Sequence, residues 1–219
     1  MKFSDIYKPK YQPDYVPKNA IKLMHSAIRK AREVPGHEHV GTGANAYVYK
    51  NTSPQSMDSV NRISSIKDPT SKYLQTIANT PDLHNNPFLP RIHEVRSLSK
   101  RTREVQMEKL YPLNLKALTE DKEQRLLRSI WEQYLNEDYD RNNAYLTPFE
   151  VMNNLAMHIH MALKNANYSR IKDEQLIEAL EFIRQFVGEE AKPDIHGGNL
   201  MWRITGNMPH LVITDPLAE

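Results

Sequence analysis

Hydrophobic positions along the chain change their spacing about halfway, from the alternation typical of strands to the three- and four-residue repeat typical of helices. In the first half, short apolar runs predict strands at 40–49, 60–66, 88–95 and 104–110, and residues 70–79 predict a helix between them. In the second half, the spacing predicts helices over 119–135, 148–164 and 173–187, then short strands over 200–204 and 211–214. A further helix is predicted over 18–33, after an irregular arm at 1–16 that is rich in Pro, Tyr and Lys. This order predicts an α+β fold with a β-rich first half and a helical second half that ends in a small hairpin.

Turn-forming residues divide these elements. Gly41-Thr42-Gly43 is predicted to join two strands, and Thr205-Gly206-Asn207 to join the last two. Gly188 is a candidate C-cap for the helix before it, and residues 51–58 are predicted to form a loop. The basic run at 96–103 (RSLSKRTR) is predicted to be a solvated hairpin turn between two strands.

Composition narrows the classes of function. Hydrophobic residues make up 39% and charged residues 26% of 219 positions, which is typical of a globular protein with a buried core. The absence of cysteine excludes disulfides, thiolate catalysis and cysteine-ligated metals. The formal net charge of +2 does not favour non-specific nucleic-acid binding, and no apolar run is long enough to span a membrane. No secretory signal is evident, so we expect a cytoplasmic protein.

The strongest candidate for chemistry is an acidic cluster near the end of the sequence. Asp194-Ile-His196-Gly-Gly-Asn199 precedes the predicted hairpin, and Ile213-Thr214-Asp215-Pro216 follows it. Phosphoryl transfer requires a carboxylate that orients the attacking hydroxyl and oxygen ligands that hold Mg²⁺ against the phosphates. Asp194 is a candidate for the first role, and Asn199 and Asp215 for the second. Taken singly, each of the three is better explained by a structural role, with Asp194 and Asn199 capping turns and Asp215 starting a final loop.

Glycines form a second candidate site. Of seven glycines, five fall in two short segments, at 41–43 and 197–206. In Gly41-Thr-Gly43-Ala-Asn-Ala-Tyr-Val48, two glycines on a strand turn would allow backbone N–H groups to approach phosphate oxygens. The glycines at 197 and 198 would allow the acidic loop to turn tightly.

These motifs together resemble a known family. GTGANAYVY is similar to the glycine-rich loop of protein kinases, DIHGGN to the catalytic loop of kinase-like phosphotransferases, and ITDP to their metal-binding Asp motif. Aminoglycoside and choline kinases share the Asp-x-His-x-x-Asn form, and residues 38–217 most resemble the early serine/threonine kinases of short-tailed T-odd bacteriophages. The resemblance implies a bilobal protein-kinase-like fold, with an arm and helix at 1–36, an N-lobe at 37–112 and a reduced helical C-lobe at 113–219. That C-lobe would lack the segments that usually follow the metal-binding Asp, since the sequence ends four residues after Asp215.

The resemblance also implies roles for individual residues. Met107 would be the gatekeeper at the end of the fifth strand, and the backbone from Glu108 to Leu110 would contact adenine. His196 would lie near the γ-phosphate of ATP, with Asp194 as the catalytic carboxylate. Gly41 and Gly43 would cover the phosphates, while Asn199 and Asp215 would bind Mg²⁺.

The cation that holds the α- and β-phosphates is ambiguous in the sequence. Lys67 matches the usual kinase lysine in its local sequence, Ser-Ile-Lys. Arg62 agrees better with the register of the phage kinases, in which the cation is followed by a short loop and an acidic residue comparable with Asp68. The predicted helix at 70–79 contains no glutamate, so the usual ion pair with this cation is missing or replaced.

Three functions are consistent with these features. The first is an ATP- and Mg²⁺-dependent serine/threonine protein kinase that acts on a host protein, in the host bacterial cytoplasm if the chain is phage-encoded. The second is a pseudokinase that binds and inhibits a host partner. The third is a small-molecule kinase of the aminoglycoside or choline type.

Overall fold

The computed structural model describes residues 37–42, 46–51, 58–112, 120–140, 146–189, 191–205 and 208–218. The predicted arm and helix within 1–36, most of the predicted loop at 51–58, and the turn residues Gly206 and Asn207 lie outside the described residues. The connector at 113–119 and Gly43 lie outside them as well.

A five-stranded antiparallel sheet forms the first half of the described structure. Its spatial order is β1-β2-β3-β5-β4. The strands are β1 His37–Thr42, β2 Ala46–Asn51, β3 Ser59–Ser65, β4 Ile92–Ser99 and β5 Thr102–Glu108. The central strands β3 and β5 are buried over most of their length, and β1 forms one edge. The predicted pairing of the two strands is confirmed by the register of β1 with β2, but Gly41 and Thr42 lie within β1 rather than in a turn.

One helix, α1 (Pro69–Asn79), packs against β4 and β5. Its start is well specified, since Asp68 is the N-cap and accepts a hydrogen bond from the Thr70 N–H, and Pro69 occupies the first turn, where its missing N–H costs nothing. Tyr73, Leu74 and Ile77 have no exposed surface and form its inner face.

Three more helices follow: α2 Glu120–Tyr134, α3 Pro148–Asn165 and α4 Glu174–Arg184. A capping box between Thr147 and Glu150 begins α3, and the Asp173 side chain caps α4. The helix α3 contacts both α2 and α4. Their apolar faces merge with α1 and the last strands into one core, whose largest fully buried side chains include Trp131, Trp202, Tyr73 and Tyr134. Burying a side chain of this kind contributes roughly 1.5–3 kcal/mol.

The last strands connect the helical half to the sheet. The hairpin consists of β7 (Leu200–Thr205) and β8 (Met208–Ile213), and β6 (Lys192–Pro193) pairs with β9 (Leu217–Ala218). Tyr111, just after β5, exchanges backbone hydrogen bonds of 3.0 and 2.8 Å with Trp202 in β7. The Ile213 N–H donates to the Phe88 carbonyl at 2.9 Å.

A buried ion pair reinforces this connection. Arg203 in β7 binds the Glu108 carboxylate at the end of β5 through two nitrogens, with Nε 2.7 Å from Oε2. Its remaining donors reach the carbonyls of Pro87 and Leu89 at 2.8 and 3.0 Å. Glu108 also accepts from the Arg91 N–H at 2.8 Å. The side chains of Arg203 and Glu108 are 10% and 11% exposed, so the pair is removed from water with nearly all its polar atoms bonded.

Two predicted boundaries in the sheet are wrong. The strand predicted at 88–95 begins only at Ile92, because Pro90 has no N–H for the ladder and the Asn86 side chain accepts from the Phe88 N–H to make a turn. The basic run at 96–103 is not one long turn either, since β4 continues to Ser99 and β5 begins at Thr102. Its residues 96–101 are exposed, as predicted.

The predicted C-cap at Gly188 is also wrong. Helix α4 ends at Arg184, and the N–H groups of Gln185, Phe186 and Val187 each donate to the carbonyl three residues earlier. These tighter bonds satisfy the last carbonyls of the helix without a left-handed residue. A left-handed cap is instead found at Ala166, after α3, with a φ of 49°.

The predicted α+β class is confirmed: the described first half is a sheet with one packed helix, and the second half is mainly helical and ends in a hairpin. The other helices and strands predicted within the described ranges are present within a few residues of their expected ends. None of the helices in the described ranges is both long enough and apolar enough to span a membrane.

Candidate functional site

The loop from Asp194 to Asn199 folds onto the segment that follows β8. The Asp194 N–H donates to the Pro216 carbonyl at 2.8 Å, and the Thr214 N–H and hydroxyl donate to the Asn199 carbonyl at 3.0 and 3.1 Å. Within the loop, the Asn199 side-chain amide donates to the Asp194 carbonyl. This bond commits the Asn199 nitrogen and leaves Oδ1 as the atom that could bind a cation.

His196 is exposed, and its ring orientation is set by the loop itself. Its Nδ1 accepts a hydrogen bond from the Gly198 N–H at 3.1 Å. Because an accepting ring nitrogen carries no proton, the neutral ring holds its proton on Nε2. His196 can therefore offer Nε2–H as a hydrogen-bond donor to a ligand.

Gly197 lies close to helix α3. A Cβ atom at this position would lie 2.7 Å from Oδ1 of Asn153, which is the end of an exposed side chain and can move aside. The turn expected at Gly197 and Gly198 is present as a short 3-10 turn over Gly197–Asn199.

Asp215 follows β8 and accepts two hydrogen bonds from different elements. Thr70 in the first turn of α1 donates its hydroxyl to Oδ1, and Arg62 in β3 places Nη2 3.4 Å from Oδ2. The Asp215 side chain remains 42% exposed. The structure thus brings together an arginine and a carboxylate that are 153 positions apart in the sequence.

Arg62 is enclosed by polar partners. The residue is only 6% exposed, and Nη1 lies 2.7 Å from Asp68 Oδ2 and 2.9 Å from the Ser64 hydroxyl. Burial opposes the charge, but the carboxylates of Asp215 and Asp68 outweigh it and hold the pKa of Arg62 above its ordinary value. Burial raises the pKa of the Asp68 carboxyl, although Arg62 acts in the opposite direction.

Asp68 forms an ion pair with Arg62, whereas helix α1 contains no glutamate that could do so. Asp68 is the N-cap of the helix, so it lies before the range 70–79, which contains no glutamate. Lys67, the other candidate cation, is exposed in the turn after β3, and its N–H donates to the Ser65 hydroxyl. Arg62, not Lys67, is the cation beside Asp215; the phosphate-binding role stays a prediction for both.

A row of paired residues connects the glycine strand to Arg62. Gly41 pairs with Val48, Val48 with Arg62, and Arg62 with Val105, so these four positions lie on one line across the sheet. Neighbouring strands are ~4.8 Å apart, so the main chain of Gly41 lies roughly 10 Å from that of Arg62. Gly43 lies outside the described residues, and the contact of either glycine with phosphate stays a prediction.

The predicted adenine-binding segment lies at the end of β5. Met107 is 6% exposed and pairs with Val60, which is on the Arg62 face of the sheet. The Glu108 side chain is occupied by Arg203, so only its backbone could contact a base. The Lys109 N–H donates to the Asp58 carbonyl, whereas the Leu110 N–H has no backbone acceptor among the described residues. The contact of the Leu110 N–H with adenine stays a prediction.

The sequence presents His160 only as part of a His158-x-His160 pair, whose members point in different directions on a helix, whereas the structure places it on α3 near Asp194. This helix contacts both the 197–199 turn and β6, the elements that flank the loop. Burial lowers the pKa of His160, Lys164 lowers it further, and the negative charge of Asp194 partly compensates. The sequence contains one indication of this position: Asn153 and His160 are seven residues apart, which brings both to one side of a helix.

The donor set fits Mg²⁺ better than a transition metal. No group of three or more His, Asp or Glu placed to hold a metal occurs in the part of the chain that the structure describes. Mg²⁺ usually takes one or two carboxylates and keeps several waters. A half-exposed carboxylate at Asp215 and an amide oxygen at Asn199 meet that requirement.

Comparisons with known proteins give structural matches only. No family model matches the chain, and no curated protein matches it. Among solved structures, a thermostable mutant of aminoglycoside phosphotransferase APH(4)-Ia, in ternary complex with AMP-PNP and hygromycin B, matches at 14% identity with a TM-score of 0.32. That match covers 55% of this chain and 41% of the other, less than half of its length.

Two further matches cover more of both chains. A second thermostable APH(4)-Ia mutant, in complex with ADP and hygromycin B, has 9% identity and a TM-score of 0.38, over 90% of this chain and 72% of the other. The streptomycin–ATP complex of APH(2")-IIa has 11% identity and a TM-score of 0.36, over 93% and 72%. At these levels of identity and TM-score, the matches carry no conclusion about the activity or substrate of this chain.

Proposed function

We propose that this chain is an ATP- and Mg²⁺-dependent phosphotransferase with a protein-kinase-like site. The observation that carries the proposal is the contact between Arg62 and Asp215, 3.4 Å apart, beside a loop in which Asn199 is bonded to the Asp194 backbone. A buried cation, a half-exposed carboxylate and an amide oxygen are the groups that a metal-bound triphosphate requires.

The residues have distinct roles in this proposal. Asn199 Oδ1 and the Asp215 carboxylate would hold Mg²⁺, which when bound neutralises charge on the phosphates. Arg62 binds phosphate oxygens through its guanidinium, which can form two parallel hydrogen bonds. Asp194 accepts a hydrogen bond from the acceptor hydroxyl and orients it for in-line attack. His196 donates Nε2–H to a terminal phosphate oxygen.

The two candidate cations allow a matched test of nucleotide binding. We expect Arg62→Met to weaken ATP binding about 10-fold or more, because a hydrogen bond to a charged group contributes about 1.5–3 kcal/mol. Lys67→Met, only five positions away but exposed, should bind ATP as the wild type does. Isothermal calorimetry gives both affinities, and Arg62→Lys retains a charge in case Arg62→Met does not fold. Equal losses in the Met variants would contradict the assignment of Arg62.

Transfer is tested separately with labelled ATP. We take the acceptor to be a serine or threonine hydroxyl of a protein, on the strength of the resemblance in residues 194–217. Asp194→Ala should abolish labelling while ATP binding persists. A panel that also contains hygromycin B and streptomycin distinguishes a small-molecule kinase, since label would then appear on those compounds and not on protein.

A specific observation favours the pseudokinase as a second candidate. Arg62 already has two carboxylate partners, and Thr70 already occupies one oxygen of Asp215. This saturated arrangement could be purely structural. A melting temperature that ATP with Mg²⁺ leaves unchanged would favour the pseudokinase, because a ligand that binds the native state must stabilise it.

A further inference from the structure

Thr70 occupies a position that no feature of the sequence indicates. It lies in the first turn of α1, has no exposed surface, and donates its hydroxyl to Asp215 Oδ1. We propose that Thr70 is a positioning residue that orients the Asp215 carboxylate for binding a divalent cation. This inference rests on the proposed function and adds to it a residue outside the recognised motifs.

The hydroxyl belongs to a closed ring of hydrogen bonds. The Thr70 N–H donates to Asp68 Oδ1 at 3.2 Å, and Asp68 Oδ2 accepts from Arg62 Nη1 at 2.7 Å. Arg62 Nη2 then reaches Asp215 Oδ2 at 3.4 Å, and Asp215 Oδ1 accepts from the Thr70 hydroxyl. Each carboxylate oxygen of Asp215 therefore has its own donor, and the two donors together fix the plane of the carboxylate.

The ring leaves room for a cation. A carboxylate offers about four lone-pair directions, of which the two donors use two. The Asp215 side chain is 42% exposed, so part of its carboxylate is accessible to a cation. A carboxylate held in one orientation loses less freedom when it binds a metal than one that must first be ordered.

Thr70 itself is held in place, which a positioning residue requires. Its N–H is bound by the N-cap Asp68, and its hydroxyl has a second acceptor in the Leu217 carbonyl at 3.3 Å. The Tyr73 hydroxyl, one helical turn later, donates to the Ile213 carbonyl at 3.2 Å. Helix α1 thus forms hydrogen bonds with the chain on both sides of Asp215. These bonds fix the position of the carboxylate relative to the helix.

The test measures the Mg²⁺ dependence of ATP binding by calorimetry in three variants. Thr70→Val removes the donor and keeps the shape, whereas Thr70→Ser keeps the donor. Thr76→Val is the matched control, since Thr76 lies on the same helix and its hydroxyl bonds only the Lys72 carbonyl of that helix. Losing an outer partner of a metal ligand costs about 10- to 100-fold in metal affinity. For Thr70→Val, but not for the other two variants, we expect the Mg²⁺ concentration at half-saturation to rise by about 10- to 100-fold. The ATP affinity measured in EDTA should stay unchanged.

A purely structural role for Thr70 predicts a different result. It would lower the melting temperature of Thr70→Val without moving the Mg²⁺ midpoint, and that result would overturn the inference while leaving the proposed function intact. An equal rise of the half-saturating Mg²⁺ concentration in Thr70→Ser would also overturn the inference. ATP affinity that is independent of Mg²⁺ in the wild type would overturn both, because Asp215 would then have no cation to hold. If Thr70→Val does not fold, Thr70→Cys keeps the size with only a weak donor, and the same outcomes apply.

Discussion

Replacing Arg203 by Met is the sharpest test of how the two halves of the protein are joined. The guanidinium makes four hydrogen bonds, two to the Glu108 carboxylate and one each to the Pro87 and Leu89 carbonyls. Met fills a similar volume but donates nothing. After the substitution, Glu108 keeps only the Arg91 N–H as a partner.

The expected loss is large because the stranded carboxylate is buried. Glu108 is 11% exposed, and breaking a buried ion pair by removing one partner costs about 3–5 kcal/mol. With an m-value of about 2 kcal/mol per molar urea, the unfolding midpoint should fall by roughly 1.5–2.5 M. Arg203→Met combined with Glu108→Met should be more stable than Arg203→Met alone, because no unpaired charge then remains.

Urea unfolding followed by circular dichroism measures these midpoints. The control is Arg96→Met, which breaks a pair of the same two-pronged form with Glu94, but with side chains that are 61% and 43% exposed. Exposed pairs contribute little, so its midpoint should stay near the wild-type value. If Arg203→Met shifts the midpoint no further than Arg96→Met does, the reasoning about burial is refuted.

Three smaller perturbations follow from the helices and the loop. Thr147→Ala removes the cap of α3 and should cost about 0.5–2 kcal/mol in thermal or urea unfolding, with Thr147→Ser close to wild type. Gly197→Ala should change the melting temperature little, because the exposed Asn153 side chain can move aside; a clear decrease that Asn153→Ala restores would contradict this expectation. Burial lowers the pKa of His160, so below its ordinary pKa near 6.5 the unfolded state binds the proton first and stability falls. His160→Gln should reduce that loss between pH 7.5 and 5.5, as measured by urea midpoints, and an unchanged loss would exclude His160 as its source.

The arrangement of elements could be predicted because local patterns specify them. The helix at 70–79 is bounded by a capping aspartate and carries Tyr73, Leu74 and Ile77 at core spacing, and the observed helix differs by one residue. The boundary errors have local causes that compete with hydrophobicity. At 88–91 the apolar residues Phe88 and Leu89 suggest a strand, but Pro90 and the Asn86 side chain impose a turn.

The candidate site was only partly predictable, because its parts are brought together by long-range contacts. The sequence indicated Asp194, Asn199 and Asp215, but not which cation they would meet. Lys67 matches the usual local sequence, yet β3 ends at Ser65 and leaves it in an exposed turn. Asp68 entered the sequence analysis only as support for the Arg62 register, and Thr70 was not recognised, because its contact with Asp215 joins residues that no local pattern connects.

The row from Gly41 through Val48 to Arg62 has a consequence for how this chain can tolerate insertions. Side chains alternate between the two faces of a strand, so Val60, Arg62 and Ser64 share one face and Asn61 and Ile63 the other. One residue inserted into β3 ahead of Arg62 would invert that parity and carry the arginine to the far side of the sheet, away from Asp215. Two inserted residues would restore it. A single inserted residue would keep Arg62 on its face only if a β-bulge absorbed it, like the register shifts between β1 and β2 and between β4 and β5.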